Sequence, residues 1–482
     1  MQPNLLWRLL TGATLISLLL AACSKDMARN PGNNPNPGSK AISTNDSIFN
    51  IFKDIYLWTD AVPDSATFKP DSYSSPYTMF DSLIGFKKNS RNANLDKYSF
   101  LDDGSTADVL AGHAGDLGFQ IGWQTRTELR VVYVYPGSPA DKAGIKRGWQ
   151  MSAVNGTTSF TYGNQATEDA LNKAFSSQSA NFVFTKPDGN TLTTTITAAQ
   201  YTLNPILYSK VYDLGGSKIG YIVFNSFVAP DVVKTQFESI FSDFKTAGVT
   251  KVIIDLRYNG GGYVSTAEYL ANKLAPASVG NQLMYSTVFN SRVTNKNFNW
   301  FFKAMKAVPD YPNQLWSDIF YSEATTYAKT NFGATGGLAL TNLSFIMTGN
   351  TASASELLFN VLKPSLKPRM VGSTSYGKPV GFIAVTVGAI DMYCINMQSI
   401  NSANQGDYFD GFTPDVQAGD DYANDWGSFQ DPMLRAALTD MGVPASALGR
   451  IAAPESNRLG TISRFYNKAN QFKGMIFPKV KE

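Results

Sequence analysis

Residues 343–362 read LSFIMTGNTASASELLFNVL. The apolar run 343–347 has the length of a buried strand, and residues 356–362 have the spacing of a helix. Small residues crowd Ser353 and Ser355 between them. A strand that turns sharply into a helix belongs to an α/β layer. The turn places Ser353 beside helix N-terminal amides, which favour developing negative charge. Serine before a helix is also an ordinary cap. A nucleophilic serine needs a base, and this chain of 482 residues contains one histidine.

The flanking sequence extends the α/β pattern. Residues 219–224 and 252–256 are buried strands separated by an amphipathic helix at 232–244, a β-α-β unit with parallel strands. The second strand runs into Asp255-Leu256-Arg257-Tyr258-Asn259-Gly260-Gly261-Gly262, followed by a helix near 266–274. Such a Gly-rich turn can aim backbone N–H groups into a cavity. A phosphate loop is the competing reading, but the Gly-Lys-Ser/Thr it requires is missing, and no dinucleotide fingerprint is present. An oxyanion hole fits better. Residues 280–340 are irregular and aromatic, either a substrate-facing cap or an insertion packed on the body. Downstream, Tyr376-Gly377-Lys378-Pro379 follows apolar residues 370–372. Lys378 is a candidate general base if burial or a neighbour depresses its pKa from about 10.4. Asp255, Arg257 and Glu356 read as structural.

Residues 115–196 are β-rich. A strand at 129–135 ends in Pro-Gly-Ser-Pro, short helices are expected at 140–145 and 167–175, and residues 182–196 form a hairpin about Asp188-Gly189. With Asp116-Leu117-Gly118-Phe119, Gly137-Ser138-Pro139-Ala140 and Val154-Asn155-Gly156, this stretch resembles a PDZ domain. The resemblance implies that the backbone of Leu117, Gly118 and Phe119 holds a peptide C-terminal carboxylate while the peptide adds a strand to the sheet. Trp149 stands where bacterial PDZ domains commonly carry aspartate. His113 reads as a surface or packing residue.

At the N-terminus, Arg8 precedes an apolar run at 9–22 that is too short to span a bilayer comfortably. It ends in Leu20-Ala21-Ala22-Cys23, which resembles the lipobox of bacterial lipoproteins. This implies lipidation of Cys23 and anchoring to a membrane of the cell envelope, with Ser24 favouring the outer membrane. Cys394 then remains alone, so no intramolecular disulfide and no Cys/His zinc site is expected. No ligand spacing suggests a metal, and no cofactor is expected. With 41 Lys+Arg against 38 Asp+Glu, no nucleic-acid partner is implied. Residues 44–103 look helical, with Ile48, Ile51, Phe52, Ile55 and Tyr56 on one face.

Together, the Ser353 turn, Gly377-Lys378, the Gly-rich loop and Gly411-Phe412-Thr413-Pro414-Asp415 resemble the C-terminal processing (tail-specific) peptidases. These are Ser–Lys dyad serine proteases with an embedded PDZ domain. The resemblance implies a multidomain α/β protein with a crotonase-like, ββα-layered peptidase domain. It places the nucleophile at Ser353 and the base at Lys378, twenty-five residues on. The oxyanion donors fall on the backbone of Ala354 and of Gly261 or Gly262. Thr351 replaces the family's first serine, and Phe382 stands where many members carry a glutamine that orients the lysine. The expected organisation is a signal at 1–22, a tether at 23–43, a helical domain at 44–105, a PDZ-like domain at 106–200, a peptidase domain at 201–445 and an extension at 446–482. The expected partners are protein substrates with accessible C-termini. A catalytically silent peptide-binding lipoprotein is the rival reading, and a phosphate-binding enzyme the third.

Overall fold

Strands 217–224, 251–255, 342–347 and 369–372 lie side by side in parallel, as near-continuous apolar runs buried on both faces must. The computed structural model describes residues 42–308, 311–450 and 474–476. The signal segment, Cys23 and the tether up to residue 41 lie outside the described residues. So does the 446–482 extension apart from residues 446–450 and 474–476. Among the described residues no helix is long and apolar enough to cross a membrane. Strand 206–214 joins one edge of the parallel core antiparallel, and residues 416–417 close the other, giving six strands.

Successive side chains on a strand point to opposite faces, so each strand feeds two cores. Ile222, Ile254, Phe345 and Met347 pack with helices 230–246, 264–274 and 354–366. Tyr221, Ile253, Ile346 and Val371 pack with Met433, Leu434, Ala437 and Leu438 of helix 432–440. Gly220 permits the first layer's close approach. A Cβ there would lie 2.3 Å from the ring of Phe244.

Helix 44–55 buries Ile48, Ile51, Phe52 and Ile55, and that face joins the same core as the parallel sheet. Residues 100–102 go further, pairing with strand 390–393 of the body. The aromatic segment 280–340 packs on the body and on this helix. Asp54 accepts from Arg292 Nε at 2.9 Å and from Asn299 N at 2.7 Å, while Phe302, Trp316 and Phe320 are fully buried.

The β-rich stretch forms a five-stranded antiparallel sheet in the order 119–123, 129–134, 150–154, 179–185, 191–197. One face closes with helix 165–176 over its own core, including Phe119, Ile121, Leu171 and Phe182. The opposite face, with Val132, Tyr133 and Tyr135, lies against the α/β body. Arg147 spans that junction. Its guanidinium donates to Asn424 O at 2.9 Å, Asp421 O at 3.0 Å and Tyr258 Oη at 3.1 Å, and lies 4.0 Å from the centre of the Trp426 ring.

Beneath Arg147 lies a fully buried ionic cluster. Arg257 Nη1 donates to Asp420 at 2.9 Å and Asp431 at 2.8 Å, and Nη2 to Asp255 at 2.6 Å. Removing one partner of such a network leaves buried charge uncompensated. Arg257→Met is expected to cost about 3–5 kcal/mol. Urea unfolding checks this, and a loss below about 1 kcal/mol would refute a stabilising role for the cluster.

Candidate active site

The turn after strand 342–347 is bonded to its neighbours on both sides. Thr351 Oγ1 donates to Leu256 O at 2.7 Å, so the threonine found where serine was expected ties the turn to the neighbouring strand through its hydroxyl. Ala352 N and Ser355 Oγ both donate to Asn259 O, at 3.1 and 3.0 Å. On the other side Tyr376 N donates to Thr351 O at 3.0 Å. The Gly-rich loop, the serine turn and the lysine segment are thereby held together, although more than 90 residues separate the first two.

Ser353 sits at the N-cap of helix 354–366 with φ 64° and ψ −113°. A non-glycine residue in this sparsely populated region costs about 1–3 kcal/mol and is characteristic of presented nucleophiles. Ser353 is fully buried, and its Oγ makes no hydrogen bond among the described residues. Its Oγ faces the N3 amide as in a capping box without completing a hydrogen bond, while its backbone N–H donates to the N3 residue Glu356.

Glu356 links serine and lysine. Its carboxylate accepts from Ser353 N at 2.9 Å, Gly377 N at 2.8 Å, Lys378 N at 2.8 Å and Ser375 Oγ at 2.5 Å. Burial raises its pKa, and these four donors oppose that rise. Reading Glu356 as structural agrees with this geometry, since every contact positions backbone or Ser375.

Lys378 is fully enclosed. Its Nζ lies 3.8 Å from the centre of the Phe382 ring and 5.4 Å from that of Tyr98. Desolvation drives its pKa well below the ordinary value, outweighing the opposing fields of Asp96 and Glu356. Phe382 thus contributes to dehydrating the lysine from the position where a hydrogen-bonding glutamine was expected. Tyr98 Oη also donates to Gly377 O at 2.5 Å. Nothing in the local sequence marks Tyr98 or Asp96, which sit in an unremarkable stretch 280 and 282 residues before the lysine.

Ala354 begins the helix after the serine. The Gly-rich loop is shorter than its sequence suggests, because Gly261–Tyr263 forms a strand paired with Gly474–Ile476. Gly261 N donates to Asn259 Oδ1 at 2.9 Å, so of the two candidate glycine donors this one is already engaged. Gly261 has φ 107°, and a Cβ there would meet Ala354 N and Ala352 O, each at 3.0 Å. Only glycine lets the loop come this near the serine turn.

In the β-rich domain Leu117 and Phe119 are buried, and Gly118 has φ 83°. Gly118 N donates to Asp116 Oδ1 at 2.8 Å, and Tyr201 Oη donates to the same oxygen at 2.8 Å. The central amide of the expected carboxylate loop therefore faces a carboxylate of its own chain. His113 is exposed in the two-residue strand 113–114, and Cys394 is a buried free thiol. No group of acidic, His or Cys residues among the described residues could hold a metal.

Two family models match the chain: peptidase family S41 over residues 218–418, and the peptidase S41 N-terminal domain over residues 43–100. Together they cover more than half of it. The chain is 26% identical over 275 residues to a carboxyl-terminal-processing protease of Picosynechococcus sp., covering 56% of this chain and 55% of that protein. It is 23% identical over 308 residues to a chloroplastic C-terminal processing peptidase of Tetradesmus obliquus, covering 61% and 57%. The chain thus spans little more than half the length of these relatives. The crystal structure of a candidate S41 protease from Bacteroides fragilis NCTC 9343 shares the fold, with TM-score 0.61 and 20% identity over 86% of this chain and 99% of that one.

The buried lysine makes stability depend on pH. Between its lowered folded pKa and the ordinary value of 10.5, the unfolded chain binds a proton that the folded chain does not. Stability of the wild type therefore rises with pH across that window, by about 1.4 kcal/mol per unit. Lys378→Met should be more stable than wild type at neutral pH, with the difference shrinking towards pH 10.5. Urea midpoints over pH 7–10 measure this, and a pH-independent difference would contradict it.

Proposed function

We propose that this chain, which belongs to peptidase family S41, is a lipid-anchored serine endopeptidase of the cell envelope that cleaves protein substrates near their C-termini. The carrying observation is the joint anchoring of Ser353 and Lys378 to one buried carboxylate, with the serine strained and the lysine dehydrated. A lysine of lowered pKa is neutral enough to accept a proton at moderate pH. Lys378 takes the proton from Ser353 Oγ as that oxygen attacks the peptide carbonyl. Backbone N–H groups of Ala354 and of the Gly-rich loop stabilise the oxyanion. Lys378 then protonates the leaving amine, and water releases the acyl group from Ser353.

Residues 106–200 serve in this reading as a PDZ domain that recognises substrate C-termini or gates access to the dyad. Its five-stranded sheet, flanking helices and separate core support that role. Anchoring rests on Leu20-Ala21-Ala22-Cys23 alone. Phe382 was the one feature that favoured a silent scaffold, and its place against the enclosed Lys378 favours the catalytic reading instead.

Cleavage of an unstructured protein by wild type, Ser353→Ala and Lys378→Ala tests the chemistry. Both variants should lose at least about 10³-fold in kcat. Equal cleavage by all three, or none by folded wild type, sinks the reading. Cys23→Ala should move the protein from the membrane to the soluble fraction, and unchanged membrane association would rule out lipidation at Cys23 as the anchor.

A further inference from the structure

Ser353 and Lys378 are both completely enclosed, so the state seen here admits no substrate. Part of what fills the space between their supporting segments is the chain itself. Gly474–Ile476 runs parallel to Gly261–Tyr263, pairing Gly261 with Gly474. Gly474 N donates to Gly260 O at 3.1 Å. On its other edge Phe382 N donates to Met475 O at 2.9 Å, and Phe382 bridges Ile476 in parallel. The segment is therefore a strand inserted between the candidate oxyanion loop and the end of the lysine segment, bonded to both. In a parallel ladder of this register, the amide of Gly262 turns towards the Gly474 carbonyl. That carbonyl oxygen also lies 2.4 Å from where a Gly261 Cβ would be, on the side that Ala354 N approaches. Met475 is fully buried in the main core.

We infer that the slot between residues 260–263 and 381–382 is a strand-binding subsite for extended peptide, and that Gly474–Ile476 is its intramolecular occupant, holding the site closed. This rests on the peptidase reading. The Gly474 carbonyl stands in for a substrate carbonyl at the glycine donor, and the two backbone edges recognise main chain rather than sequence. A polypeptide substrate must displace the strand, so the closed population reduces apparent affinity in proportion to how rarely the slot is free.

The test compares the full chain with a chain ending at residue 473 and with the full-length Met475→Asp variant, both checked for folding. Both changes should raise kcat/KM on an unstructured protein, about tenfold if the slot is free a tenth of the time. A fluorescein-labelled peptide of residues 470–482 should bind the shortened chain carrying Ser353→Ala, read by anisotropy. Unlabelled, it should raise KM of the shortened active chain without changing kcat. Cleavage that is no faster in either folded variant, or absence of peptide binding, would overturn the proposal and leave 474–476 a purely structural strand. If full and shortened chains both fail to cleave, the peptidase reading falls, and peptide binding alone decides whether the slot accepts a strand.

Discussion

A single carboxylate organises the candidate site. Glu356 is buried, and a buried charge is tolerated only when hydrogen bonds replace the water it has lost. Here the four donors come from the serine turn and the lysine segment. Satisfying the carboxylate and fixing the nucleophile relative to the base are therefore one requirement. Any shift of either segment would leave an acceptor partly unpaired in a dry environment, where the loss is largest.

The lysine's neighbourhood explains why the helical N-terminal region is merged with the α/β body. Asp96 accepts from Tyr56 Oη at 2.9 Å and from the amides of Tyr98 and Ser99, each at 3.0 Å. This arrangement holds the Tyr98 ring near Lys378. Phe382 and Tyr98 flank the amine from two directions and keep water from it. The Arg147 and Arg257 cluster connects the β-rich domain to the strand that feeds the Gly-rich loop, so the three regions share one continuous buried framework.

Much of the framework was legible along the chain. Apolar runs at 219–224, 252–256 and 343–347 became adjacent parallel strands, and the alternation at 182–196 became a hairpin. Local signals sufficed there, because burial periodicity and turn chemistry act over a few residues. The aromatic segment 280–340 resisted reading. Its order comes from long-range bonds such as Asn290 Nδ2 to Tyr56 O at 2.8 Å, which no local pattern encodes.

For the site, the sequence by itself determined the chemical parts: a serine at a strand-to-helix turn, a lysine beside glycine, a run of glycines and no suitably placed histidine. Asp255, Arg257 and Glu356 stood beside these parts as residues read for structure, and Glu356 proves to join the serine turn to the lysine segment. Only the tertiary structure decided how those parts work together. Dehydration of Lys378 depends on Phe382 nearby in the chain and on Tyr98, about 280 residues away, both lying against its amine. The engagement of Gly261 N by Asn259, of Gly118 N by Asp116, and of the cleft by Gly474–Ile476 likewise depends on which amide faces which acceptor. A pKa and an occupied hydrogen bond are properties of three-dimensional surroundings, so residue types supply the candidates and packing selects among them.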